Sequence, residues 1–201
     1  MARRIKEEPE VHRRRIAEAA EALFTSQGFE KTTVSDIAGK AGYSKATIYV
    51  YFENKEEIVS YLVLKSMQIL KNEIMEYTDR MLSKHDNFIL ICGCLSNYNK
   101  RYPMYFKLLS DTINVDFSGK QYYESERDTY LVGEEINTYL KELFDLGDDG
   151  FLRIFTAWSA ICGLITMASN KNDYIQKQSG MSSEQLLQKA FELLSSSIVE
   201  S

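Results

Sequence analysis

Apolar residues recur at helical spacing along most of this chain, and no stretch alternates in the way a half-buried strand requires. The pattern predicts an all-α protein. Its sharpest stretch runs from Thr33 to Phe52. Val34, Ile37, Ala38 and Ala41 stand at i, i+3, i+4 and i+7, on one face of a helix. Thr33, with Asp36 three residues on, makes a capping-box pattern ahead of that face. Gly42 falls where the chain must turn, in a conformation that is cheap for Gly. Ser44 can cap a second helix, whose Ile48, Tyr49 and Phe52 face back toward the first. Two short helices across a Gly-containing turn form a helix-turn-helix, in which the second helix enters the DNA major groove.

The same period places the other elements. A first helix over about 11–27 carries Ile16, Ala20, Leu23 and Phe24 on one face and ends at Gly28, with Phe29 packing into a three-helix core. Asn54 and Glu57 form another capping-box pattern, opening a long segment that runs to about Leu82. Helices are predicted over 86–101, after Pro103, over about 121–146, over 151–170, and from Ser182 onward. Gly147-Asp-Asp-Gly150 is a turn. Two helices are apolar over an unusually wide arc, which implies burial on more than one side. One carries Ile154, Trp158, Ile161, Ile165 and Ala168; the other carries Leu187, Phe191, Leu194 and Ile198. The expected division is a head over 1–53 and a body over 54–201.

Charge sharpens this division. The net charge of the chain is −5. Residues 1–55 hold ten Lys/Arg against eight Asp/Glu, a net of +2, and the rest hold fourteen against twenty-one, a net of −7. The basic end coincides with the helix-turn-helix, as a nucleic-acid footprint requires. Arg3, Arg4 and Lys6 are available to phosphate, and at most one or two of Arg13, Arg14 and Arg15 can face the same backbone. No apolar run approaches membrane-span length and no leader pattern opens the chain, so a cytoplasmic protein with no membrane partner is expected. Cys92, Cys94 and Cys162 are an odd number without zinc-like spacing and read as reduced core residues. Cys92 and Cys94, two apart, point to different sides of a helix. No hydrolase elbow, phosphate loop, dinucleotide fingerprint or His-Glu-x-x-His pattern occurs, so neither an enzyme nor a cofactor or metal is expected.

Ala-Gly-Tyr-Ser-Lys-Ala-Thr-Ile-Tyr-Val-Tyr-Phe-Glu-Asn-Lys-Glu-Glu-Ile (41–58) resembles the core motif of TetR-like transcriptional regulators. Ala-Leu-Phe-Thr-Ser-Gln-Gly-Phe-Glu-Lys-Thr-Thr-Val (22–34) resembles the same family's entry into that domain. The resemblance covers roughly residues 10–60, and beyond them extends only to length and helical layout. It implies a ligand-responsive repressor that binds double-stranded operator DNA as a homodimer. The competing class, a helical interaction or scaffold module, has no need of a basic, correctly spaced head.

Carried over residue by residue, the resemblance implies a DNA-facing set of Thr33, Ser44, Lys45, Thr47, Tyr49, Tyr51 and Lys55. Tyr49, Tyr51 and Lys55 would position the head on phosphates, Ser35, Lys45 and Ala46 would lie nearest to bases, and Thr47 suits either role. Ser35 and Val50 depart from the residues the family usually has there. The aromatic-rich middle matches the region that encloses the family's ligand pocket, so Phe88, Tyr98, Tyr102, Tyr105, Phe106, Tyr122, Tyr123 and Tyr130 are candidates for contacting a mostly hydrophobic effector. The two wide-faced helices resemble the pair through which the family dimerises, which implicates Ile154, Trp158, Ile161, Ile165, Leu187, Phe191 and Leu194.

Overall fold

A computed structural model describes residues 8–111 and 123–198. Arg3, Arg4, Lys6 and Tyr122 lie outside the described residues. Among those described, every regular element is a helix: α1 Pro9–Gln27, α2 Val34–Ala41, α3 Lys45–Tyr51, α4 Lys55–Tyr77, α5 Lys84–Arg101, α6 Pro103–Asp111, α7 Glu124–Phe144, α8 Gly150–Asn170, α9 Asn172–Ser179 and α10 Ser183–Ile198. The helix α9 is absent from the periodicity reading, because Ile175 is its one buried residue and the rest of it is polar.

The chain packs as two compact units, residues 8–65 with 123–129, and residues 66–111 with 130–198. The expected boundary at 53/54 precedes α4, whereas the units divide within that helix. Ile58 and Leu62 explain the difference, since both are fully buried in the first unit beside Ile16, Ala20, Ile37, Ile48 and Phe52. Residues 123–129 belong to this unit, and hydrogen bonds tie them to α4 and the residue before it. The Ser60 and Ser125 hydroxyls share a buried 2.8 Å hydrogen bond, and Asn54 Nδ2 donates to the Tyr123 hydroxyl at 2.7 Å.

In the second unit α5, α8 and α10 pack on one another through Phe88, Ile91 and Leu95, through Ile154, Ile161 and Ile165, and through Leu187 and Phe191. The long segment expected to reach Leu82 stops at Tyr77. The Thr78 hydroxyl donates to the Ile74 carbonyl at 2.6 Å, and the Asn87 side-chain amide bonds both backbone groups of Asp79 at 2.8–3.0 Å, fixing the turn. Cys92 and Cys94 do face different neighbours: the Cys94 thiol lies 3.9 Å from the Glu73 carbonyl oxygen, while the Glu192 carboxylate is among the charges acting on Cys92. Burial pushes the Cys92 thiol well up from its ordinary value, and pushes Cys94 and Cys162 up to about 11, so all three are thiols at neutral pH.

The expectation about apolar runs needs one correction: α8 is long and apolar enough, by length and composition, to cross a membrane. A run count misses it because Arg153 and scattered Thr and Ser residues interrupt the apolar positions. Its inner face is packed within the second unit and its outer face carries exposed Phe151, Leu152, Phe155 and Met167.

Candidate nucleic-acid interface

Three short-range devices set the geometry between α1 and α4. At the start of α2, the Asp36 carboxylate accepts from the Thr33 backbone N–H (2.9 Å) and hydroxyl (2.7 Å), while the Asp36 N–H donates to the Thr33 hydroxyl oxygen at 3.2 Å. The Thr33 hydroxyl, and then its N–H, hold the Asp36 carboxyl below the usual carboxylate value. At the end of α2, Gly42 turns left-handed (φ 74°, ψ 27°), which lets the Tyr43 N–H reach the Ala38 carbonyl at 2.9 Å. Ser44 then caps α3, its hydroxyl oxygen accepting from the Thr47 N–H at 3.1 Å. A seven-residue helix has little stability of its own. Here it is fixed by its cap and by Ile48 and Phe52, both 1% exposed.

This packing turns the remaining α3 side chains outward. Thr33, Ser35, Ser44, Lys45 and Ala46 are exposed, and Thr47 and Tyr51 are half-buried. Tyr49 does not face the first helix as its spacing suggests. It is 49% exposed, because Ile48 and Phe52 already fill the inward arc. Val50, at 74% exposure, stands beside it in solvent.

Lys55 departs from its expected role. Its ammonium donates to the Phe29 carbonyl (2.8 Å) and the Thr32 carbonyl (3.1 Å), and it sits 3.8 Å from the centre of the Phe29 ring. It ties the loop after α1 to the start of α4, and at most its third N–H remains for a phosphate.

Arg13, Arg14 and Arg15 of α1 border this surface, together with His12 and Tyr43, which the sequence did not single out. The Arg13 guanidinium donates to the Tyr51 carbonyl at the end of α3 (2.7 Å), pairs with Glu57 (3.2 Å) and lies 4.3 Å over the Phe52 ring. It is a brace between α1, α3 and α4. Arg14 pairs loosely with Glu18 along α1 at 3.9 Å. Arg15 donates to the Tyr43 hydroxyl (2.6 Å), whose oxygen also lies 2.7 Å from His12 Nδ1, and the His12 ring stacks on Tyr51 at 5.0 Å. His12 and Arg15 are three apart and so share a helix face. That spacing was legible; that Tyr43 and Tyr51 would meet it was not.

The residues implicated in the second unit are sorted differently from expectation. Tyr98, Tyr105 and Phe106 are core: the Tyr98 hydroxyl donates to the Ser66 carbonyl at 3.1 Å, and Tyr102 stacks on Tyr105 and meets Tyr98 at a tilt. Tyr123 belongs to the first unit, bonded to Asn54, and Tyr130 is exposed. Among the described residues of the set, only Phe88 lines the cavity between α5, α7 and α8. That cavity of about 400 Å³ is lined by Phe88 and Ile91 of α5, Leu140 and Phe144 of α7, and Ile154, Ala157, Trp158 and Ile161 of α8, together with the charged Lys84, Asp145, Asp149 and Arg153.

The residues implicated in dimerisation also turn inward. Ile154, Ile161, Ile165, Leu187 and Phe191 are buried within the unit, and Trp158 and Leu194 are partly so. The strongest apolar stripe of a helix packs on its own core first. The face left uncovered is the flanking one, Phe151, Leu152, Phe155 and Met167, with Ser159 and Gly163 between them.

Residues 16–62 match the family model described as bacterial regulatory proteins, tetR family. The HTH-type transcriptional regulator TtgR of Pseudomonas putida is 46% identical over 63 residues, 31% of this chain and 30% of that protein. The HTH-type transcriptional regulator YfiR of Bacillus subtilis is 27% identical over 154 residues, 74% of this chain and 66% of that protein. The matched stretches thus span from about a third to two thirds of these curated relatives. The fold of the transcriptional regulator FadR from Bacillus subtilis, solved in complex with stearoyl-CoA, is similar over 90% of this chain and 96% of that one, with a TM-score of 0.60 at 18% identity.

Proposed function

Since the head of this chain belongs to the TetR family of bacterial regulatory proteins, we propose that the whole is a DNA-binding transcriptional repressor. It binds a palindromic operator as a homodimer and is released by a mostly hydrophobic small molecule. The observation that carries this is the outward face of α3. Ser44, Lys45, Ala46 and Tyr49 are presented on a helix too short to hold itself, yet fixed by a cap, a left-handed glycine and two buried side chains. Such an arrangement preorganises side chains for base edges and phosphates.

Several further features support the reading. A head this small makes few base contacts, and two heads in a symmetric dimer read two half-sites about one helical turn apart, roughly 34–36 Å. The exposed apolar face of α8 offers a seam for a second copy, and Ser159 and Gly163 let two helices approach closely there. The Bacillus subtilis FadR neighbour holds an acyl-CoA, and the cavity beside α8 has the size and apolar lining of a small-molecule site.

The test has two stages. Selection from random duplexes with full-length protein is expected to recover a palindromic sequence. Hydrophobic compounds are then titrated against the protein with and without that duplex. An inducer binds the free protein more tightly by the same factor by which it weakens DNA binding, typically about 5–150-fold. Recovery of no sequence preference would refute the regulator; absence of any discriminating compound would leave a constitutive DNA-binding protein.

A further inference from the structure

We propose that His12 is a positioning residue for DNA binding: it fixes the ring of Tyr51, at the end of α3, in the orientation that meets a phosphate. This rests on the regulator reading above, and on the phosphate role of Tyr51 within it, and names the α1 side chains that prepare the contact.

Tyr51 occupies the part of α3 least able to hold itself. It is the last residue of a seven-residue helix, where helices fray and carbonyls lack partners within the helix. Two consecutive residues of α1 compensate. The Arg13 guanidinium donates to the Tyr51 carbonyl at 2.7 Å and so holds the backbone. The His12 ring stacks on the Tyr51 ring, with centroids 5.0 Å apart and planes 23° from parallel, and so holds the side chain. Tyr51 stays half-buried, so its ring is held without being enclosed.

His12 is held in its turn. A tyrosine hydroxyl has one proton to donate and lone pairs with which to accept. Arg15 donates to the Tyr43 oxygen at 2.6 Å, and its guanidinium lies 5.8 Å from the centre of the Tyr43 ring. The Tyr43 proton is then directed to His12 Nδ1, 2.7 Å away. The relay thus runs from Arg15 through Tyr43 to His12, and ends on the stacked Tyr51 ring. Because Tyr43 stands in the turn before α3, the relay ties that ring to both ends of the helix.

The consequence is preorganisation. Ordering one side chain on binding lowers affinity by about 2–13-fold. A Tyr51 ring already ordered in the free protein avoids that loss in each head, about 5–150-fold for two heads on one duplex. His12 achieves this without touching DNA, so the number of phosphates neutralised by Lys and Arg does not depend on it.

The closing experiment measures affinity of the full chain for the duplex that wild type selects, across a series of salt concentrations. His12→Gln, which loses the ring, is expected to weaken binding at least about fivefold. Its urea midpoint and its slope of log affinity against log salt should match wild type. His12→Phe keeps the ring and is expected to bind at least about threefold more tightly than His12→Gln. Tyr51→Phe removes the phosphate-bonding hydroxyl, and in that background His12→Gln is expected to have no further effect. If His12→Gln does not fold, Tyr43→Phe takes its place, with a weakening of at least about twofold that likewise vanishes beside Tyr51→Phe. A wild type that binds no duplex would overturn the regulator reading. A wild type that binds no better than folded His12→Gln would overturn the positioning role alone, as would additive effects of the two substitutions. A salt slope reduced by about one per head would mark His12 as a direct cationic contact and overturn it too.

Discussion

The short helix α3 and the long helix α8 each bury one side and expose the other, and the sides they expose differ in composition. In α3 the buried side is Ile48, next to Phe52, and the outward side is Lys45, Ala46, Tyr49 and Val50. In α8 both sides are apolar: Ile154, Ile161 and Ile165 face in, while Phe151, Leu152, Phe155 and Met167 face out. A short helix with local caps declares its orientation within a dozen residues. An all-round apolar helix declares only that it has two partners, not which stripe meets which.

The largest test of this contrast substitutes the two sides of α8 alike. Ile161→Asp places an unpaired charge at a site 2% exposed and is expected to destabilise the monomer by at least about 3–5 kcal/mol, preventing folding of the second unit. Phe155→Asp, at 60% exposure, is expected to leave monomer stability within about 0.5 kcal/mol while shifting sedimentation from dimer to monomer. If both variants unfold, or both remain dimeric, the assignment of inner and outer faces is wrong.

A smaller effect is expected in the turn that aims α3. Gly42→Val forces a β-branched residue to φ 74° and should cost about 1–3 kcal/mol, read as a lowered midpoint in urea unfolding. Removing the caps one at a time, with Thr33→Ala or Ser44→Ala, should cost about 1 kcal/mol each by the same measurement. Equal stability of all three variants and the parent would mean that the turn is held by something other than its own geometry.

The smallest effect is a slope. Asp36 has its carboxyl lowered in the folded chain by the Thr33 hydroxyl and N–H, so its contribution is present above the unfolded value of 3.8. It is lost as pH falls through the lower folded value. The midpoint of unfolding, followed from pH 5 to pH 2, should therefore fall less steeply in Asp36→Ala than in the parent. A parallel pair of curves would remove the carboxylate from the cap.

The same contrast explains what the sequence made legible. The ends of α2, the start of α3 and the left-handed glycine rest on residues within four positions of one another, and local chemistry dictates them; the outward turn of Tyr49 depends instead on Ile48 and Phe52 filling the core. Lys55 did not follow, because its ammonium is committed to the Phe29 and Thr32 carbonyls more than twenty residues away. Nor did the brace made by Arg13, or the meeting of His12 and Arg15 with Tyr43, which pair positions 28–44 apart. In the second unit the stripe Ile154, Trp158, Ile161, Ile165 and Ala168 of α8 marked the inward side of the helix. It could not tell burial by the chain's own α5 and α10 from burial by a second copy. The cavity, formed by walls from three helices, has no signature in any one of them.

The central claim is that the outward side of α3 reads DNA sequence, and a selection performed in parallel on three proteins tests it most directly. Wild type, Lys45→Ala and Tyr49→Ala are each presented with the same random duplex library at one salt concentration. Tyr49→Ala is expected to recover the wild-type palindrome with uniformly lower affinity, as loss of a phosphate-positioning group requires. Lys45→Ala is expected to relax the preference at one symmetric position of each half-site, a discrimination of about 1–3 kcal/mol. Recovery of the same sequence at the same affinity by all three proteins would contradict the account, because no outward residue of α3 would then be touching DNA.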